Sequence, residues 1–89
     1  MFRLWGKLFK DNRMLKDTIY LNDDSSLNRT RKVFKGLEEI CNEFDLAYPI
    51  WLDQVVKEFQ RHSKCRFRQD SFVEEFLFDF LEIEVIEED

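Results

Sequence analysis

The spacing of apolar side chains changes character twice along this chain, and that change limits the fold more than any other feature. Val33, Phe34, Leu37, Ile40, Cys41 and Phe44 recur at three- and four-residue intervals. Such spacing brings side chains back to one side of an α-helix, so it predicts an amphipathic helix with Lys32, Lys35, Glu38, Glu39 and Glu43 turned elsewhere. Leu52, Val55, Val56 and Phe59 repeat the pattern against Gln54, Lys57, Glu58 and Arg61, and predict a second helix running to about His62.

Outside these segments the period is two. In FRLWGKLF, Leu4 and Leu8 share one face, and Arg3, Trp5, Lys7 and Phe9 share the other. A polar turn, KDNRM, separates this stretch from LKDTIYLN, so the opening residues read as a β-hairpin. In the second strand, roughly Lys16 to Leu21, alternation sends Ile19 and Leu21 inward with Asp17, and Thr18 and Tyr20 outward. Near the end, Leu81, Ile83 and Val85 alternate with Phe80, Glu82, Glu84 and Ile86, the pattern of a half-buried strand.

Polar and helix-breaking residues mark the boundaries. NDDSSLN is a loop that supplies Ser26 or Asn28 as cap of the first helix. Pro49 ends that unit, and the second helix starts either at Pro49 or under a cap from Asp53. Ser71 with Glu74 fits a capping box for one short helical turn, SFVEE. Gly36 inside the first helix costs about 1 kcal/mol relative to Ala, which points to close packing against another element.

The order β, β, α, α, β defines an α+β fold spanning residues 1–89 as one domain. Its two layers are a small three-stranded, mainly antiparallel sheet and two amphipathic helices on one face. If the last strand lies beside the first, Glu82 and Glu84 meet Arg3 and Lys7. Hydrophobic residues are 44% of the chain and ten are Phe, enough large side chains for a core.

No apolar run of about 18 residues occurs, and MFRLWGKLFK is broken by charge, so neither a spanning helix nor a secretory segment is expected. A cytoplasmic location follows as the expectation, with Cys41 and Cys65 as free thiols. The segments KDNRMLKDT, GLEEICNEFDL, PIWLD and FLEIEVIEED make nearly the whole chain resemble a group of short bacterial proteins of unknown role. That resemblance implies a cytoplasmic bacterial protein, and implies no activity, ligand or site residue.

Charge falls in blocks. Residues 1–35 carry nine Lys/Arg against four Asp/Glu, residues 36–60 one against six, residues 61–70 four against one, and residues 71–89 none against eight. The basic block RHSKCRFRQD offers Arg61, Lys64, Arg66 and Arg68, with Lys57 nearby, as ligands for phosphates, and Phe67 as a stacking platform for a base. Against this, a net charge of −5 repels a polyanion at long range, and the acidic segments on either side supply internal partners.

His62 and Cys65 offer two of the ligands zinc requires, too few for a site, so no metal and no cofactor are expected. Cys65 has cationic neighbours that favour a thiolate, but the chain has no Gly-rich phosphate loop, G-x-S-x-G or H-E-x-x-H. Catalysis is therefore not the expected role. The outer sheet face carries more weight: Trp5, Phe9, Tyr20, Phe80 and Ile86 among Arg3, Lys7, Glu82 and Glu84. Aromatics mixed with charges of both signs suit a protein contact, and self-complementary charge suits a homodimer. The expectation is a protein-interaction module, with anion or single-strand binding by residues 61–68 as the alternative.

Overall fold

The computed structural model describes residues 1–88 of the chain. The strands are β1 (Phe2–Lys10), β2 (Arg13–Asn22), β3 (Lys64–Phe67) and β4 (Phe80–Glu87), and the helices are α1 (Arg29–Glu43) and α2 (Asp53–His62). All neighbouring strands are antiparallel, in the order β2-β1-β4-β3. The fold is thus α+β, with a strand more than the periodicity predicts. The extra strand is β3, inside the basic block. Four residues are too few for alternation to stand out, but Cys65 and Phe67 are buried while Lys64 and Arg66 are exposed.

The hairpin turns through Asp11 and Asn12, both at positive φ (53° and 63°), the left-handed pair that matches the twist of the flanking strands. Phe9 pairs with Met14 next to the turn, but Leu8 pairs with Lys16, leaving Leu15 as an extra residue in a bulge. Because side chains alternate with period two, one extra residue reverses the rest of the strand. Leu4 is therefore opposite Tyr20, Trp5 opposite Ile19, and Arg3 opposite Leu21. This corrects the expected facing of β2: Tyr20 lies on the helix side, and Asp17, Ile19 and Leu21 lie on the outer side.

Tyr20 fits there because Gly36 leaves room. A Cβ at Gly36 would stand 2.8 Å from the Tyr20 ring and 2.7 Å from Leu4 Cδ2, so the helical glycine is a point of close approach between α1 and the sheet. Gly6 repeats the device from the strand side, where a Cβ would meet Ile40 at 2.6 Å. Asn28 caps α1, its side chain accepting from the Arg31 amide at 2.9 Å. Neither expected start of the second helix is taken: α2 begins at Asp53 as its first helical residue, and the N-cap position is Leu52, with no side-chain cap.

The expected turn SFVEE does not form. Ser71 instead closes a short 3-10 turn, Gln69–Ser71, and the Gln69 amide organises the following loop. It accepts from the Phe76 backbone N–H at 2.8 Å and donates to the Glu74 carbonyl at 3.1 Å. With its backbone groups bracketed by one side chain, the loop carries Phe72 and Phe76 into the core.

Phe2, Leu4, Leu8, Leu81 and Ile83 from the sheet meet Leu37, Ile40 and Cys41 of α1, and Val55 and Phe59 of α2, in one buried cluster. Each large side chain so buried contributes about 1.5–3 kcal/mol. Trp51 meets Phe59 and Phe67 edge to face, at centroid distances of 5.8 and 5.0 Å. Among the described residues, no helix is long and apolar enough to cross a membrane.

Candidate interaction surface

Pairing places Arg3, Trp5, Lys7 and Phe9 of β1 beside Asp17, Ile19 and Leu21 of β2 on one side, and beside Glu84, Glu82 and Phe80 of β4 on the other. Arg66 and Lys64 of β3 extend the row, opposite Glu82 and Glu84. The helices pack on the reverse of the sheet, so this outer face is the surface that the tertiary structure presents.

Its centre is an ion network. The Lys7 ammonium lies 2.8 Å from Glu82 and 3.1 Å from Glu84, and Arg66 Nε approaches the other Glu82 oxygen at 2.9 Å. Glu82 is only 4% exposed and Lys7 8%, so the pair at the heart of the network is largely closed to solvent, with Glu84 and Arg66 at its more open margins. Burial by itself raises the Glu82 pKa, but hydrogen bonds and charge from Lys7 and Arg66 outweigh it and hold the carboxyl below its ordinary value. For Lys7, burial works to lower the pKa, and Glu82 and Glu84 outweigh it and raise it. At the sheet margin, Arg3 pairs with Glu87 and Arg29 with Glu88.

The aromatics on this face are occupied as well. Trp5 donates its indole N–H to Asp17 at 2.8 Å, and the Lys7 ammonium sits 3.8 Å from its ring centroid. Phe9 and Phe80 stack at 4.7 Å, and the Arg66 guanidinium lies 4.3 Å over Phe80. What stays open is the β2 side: Ile19 is 47% exposed and Leu21 51%, with Met14 and Leu15 also exposed toward the turn. Ile86 is exposed at the other end, at the irregularity where Arg3 pairs with Glu87 and Leu4 with Val85.

Of the expected contact residues, Arg3, Trp5, Lys7, Phe9, Phe80, Glu82 and Glu84 come together on this face; Tyr20 does not. Asp17, Ile19 and Leu21 belong to it and were missed. A hairpin counted straight from its two-residue turn places Ile19 inward, and nothing in the sequence announces the bulge at Leu15.

The basic block is drawn into the same network. Besides pairing with Glu82, Arg66 donates its backbone N–H to Glu58 of α2 at 2.9 Å. Arg68 lies 5.9 Å over Phe80, and Arg61 and His62 occupy the last turn of α2, where positive charge suits the helix dipole. A shallow depression of about 150 Å³ includes Lys64, Arg66 and Arg68, but Glu58 and Glu82 line it too. Cys65 points into the core; burial, then the nearby Glu58 and Glu82, push its thiol pKa far up, and burial pushes Cys41 up to about 12. A cleft of about 300 Å³ separates α1 and α2, lined by Val33, Phe34, Trp51 and Phe59 with Arg29 at its side. Among the described residues, no three His, Cys, Asp or Glu side chains gather as metal ligands would.

The geometry defines an α+β domain with a charged and aromatic sheet face. No family model, curated protein or solved structure matches the chain.

Proposed function

We propose that this chain is a non-enzymatic, cytoplasmic protein-interaction module that self-associates through the outer side of its sheet. The observation that carries the reading is the row of exposed apolar side chains, Ile19 and Leu21, beside the half-buried Trp5 on a face where the charged groups already satisfy one another. Lys7, Glu82 and Glu84 form a rigid frame, since each has its partner in place. Apolar residues rimmed by paired charges suit contact with a folded protein surface. Trp5, Phe9, Phe80 and Ile86 supply the remaining apolar area, and Arg3 a charged margin.

The interleaving of Glu58 and Glu82 with Lys64, Arg66 and Arg68 weighs against the anion or single-strand reading, because a polyanion approaching the cations meets buried and half-buried carboxylates. Light scattering on the intact chain over a concentration series tests the proposal. The expected mass rises from 11.0 kDa toward twice that value; a monomer at the highest concentration overturns it.

A further inference from the structure

The two edges of the sheet are built differently. At β3 the strand is only Lys64–Phe67, its Arg66 N–H is taken by the Glu58 side chain, and α2 packs against it. At β2 the strand runs for ten residues, Arg13–Asn22, without proline. Among the described residues, no backbone hydrogen bond joins it to any element other than β1. A long, open edge is a template for another strand, and proteins that avoid such pairing shorten, charge, bulge or cover the edge. Strand β3 is short and covered by α2, whereas β2 continues from its bulge at Leu15 through Lys16–Asn22 with β1 on one side alone.

Resting on the self-association reading, we infer that the occupant of the β2 edge is the β2 strand of a second copy. The two pair antiparallel about a twofold axis at Thr18, forming one continuous sheet. A twofold of this kind runs perpendicular to the sheet and sets outer residues opposite outer residues, so beyond the bulge it passes through a residue rather than between two. Two centres keep the largest overlap of Arg13–Asn22 with itself, Asp17 and Thr18.

Charge separates these centres. An axis at Asp17 sets the two Asp17 carboxylates directly opposite each other, which is destabilising. An axis at Thr18 sets the two threonines together, Asp17 opposite the apolar Ile19, and Lys16 opposite Tyr20. On the helix side, Thr18 donates to Glu43 at 3.0 Å, and Lys16 lies on that side too, 5.6 Å from the Phe44 ring centroid. Across the axis each Lys16 stands diagonal to Thr18 of the other copy, the residue whose hydroxyl donates to Glu43, so its positive charge comes to the side of the sheet where that carboxylate lies. The complementarity is between copies of this chain, so an unrelated strand would have to reproduce it.

The test uses sedimentation equilibrium on the intact chain, with circular dichroism to show that each variant is folded. Ile19→Asp puts a second carboxylate opposite Asp17 of the other copy and is expected to weaken dimerisation about tenfold or more. Ile19→Lys places a cation there and is expected to retain or tighten the dimer. Thr18→Cys is expected to give a covalent dimer on mild oxidation, with the unsubstituted chain, whose two cysteines are buried, as control.

If Ile86→Asp and Ile19→Asp both dissociate the dimer while Thr18→Cys gives no covalent dimer on oxidation, association is face to face: the edge inference falls and the self-association reading stands. Weakening by Ile19→Lys as great as by Ile19→Asp overturns the Thr18 register. A native chain that is monomeric throughout overturns both readings and leaves the β2 edge for a strand of a different protein.

Discussion

Lys7 and Glu82 face each other across β1 and β4, ammonium to carboxylate at 2.8 Å, and both are nearly closed to solvent on a side of the sheet where no helix packs. They are buried by the side chains around them: Trp5 beneath Lys7, and Arg66 reaching the second Glu82 oxygen. A face that alternation alone marks as half polar is therefore held together by desolvated charge. Such a pair adds little stability over an apolar replacement, but breaking it on one side leaves an unmatched charge behind.

Glu82→Gln removes that charge while keeping the shape. With Glu84 still near Lys7 and Arg66 able to reach water, the expected loss is about 2–3 kcal/mol at neutral pH, at or below the range for breaking a buried pair. Urea unfolding measures it. The native Glu82 pKa lies below the ordinary 4.5, so its contribution is complete above that value and fades as pH falls through the native pKa. Lys7 has the opposite sense: raised above 10.5, its contribution is complete below that value and fades as pH climbs through the native pKa. Glu82→Gln is expected to flatten the acid limb of the stability profile. An acid limb as steep as that of the native chain would assign the dependence to other carboxylates.

Gly36→Ala tests the contact between α1 and the sheet. On helix propensity alone the change stabilises by about 1 kcal/mol. The added methyl, however, would lie 2.7 Å from Leu4 and 2.8 Å from Tyr20, and Leu4 is fully buried. Overpacking of this kind costs about 1–3 kcal/mol, so the net expectation is destabilisation. A lower unfolding midpoint for Gly36→Ala, relieved by the second change Tyr20→Ala, checks the cause. A simple rise would show that α1 shifts to accept the methyl.

Cys65 and Cys41 provide a chemical test of the inward face. Both are about 1–2% exposed, and burial holds both thiols protonated. Alkylation by iodoacetamide near neutral pH is expected to be far slower than in urea, with a native rate that follows the opening of the structure. Modification of Cys65 at the rate of a free thiol would place it at the surface and restore its cationic neighbours as activating groups.

Local physics was legible in the residues themselves. The 3.6-residue stripe of Val33, Leu37, Ile40, Cys41 and Phe44 is buried along one side, though Phe34 of the same pattern is exposed and Lys32, expected elsewhere, is buried. Asn28 can satisfy the open amides of the first turn, and Leu81, Ile83 and Val85 can face one core only as a strand. The opposition of Lys7 to Glu82 and Glu84 was readable too, once the last strand was set beside the first. What the tertiary structure decided was register and cover. One extra residue at Leu15 reversed β2, because a period of two carries no memory of which face it started on. Tyr20 went to the helices, Ile19 and Leu21 went outside, and Arg66 of β3, itself exposed, reached across to pair with the buried Glu82. These depend on pairings between residues far apart in the chain, whose energies exist only after the sheet has formed.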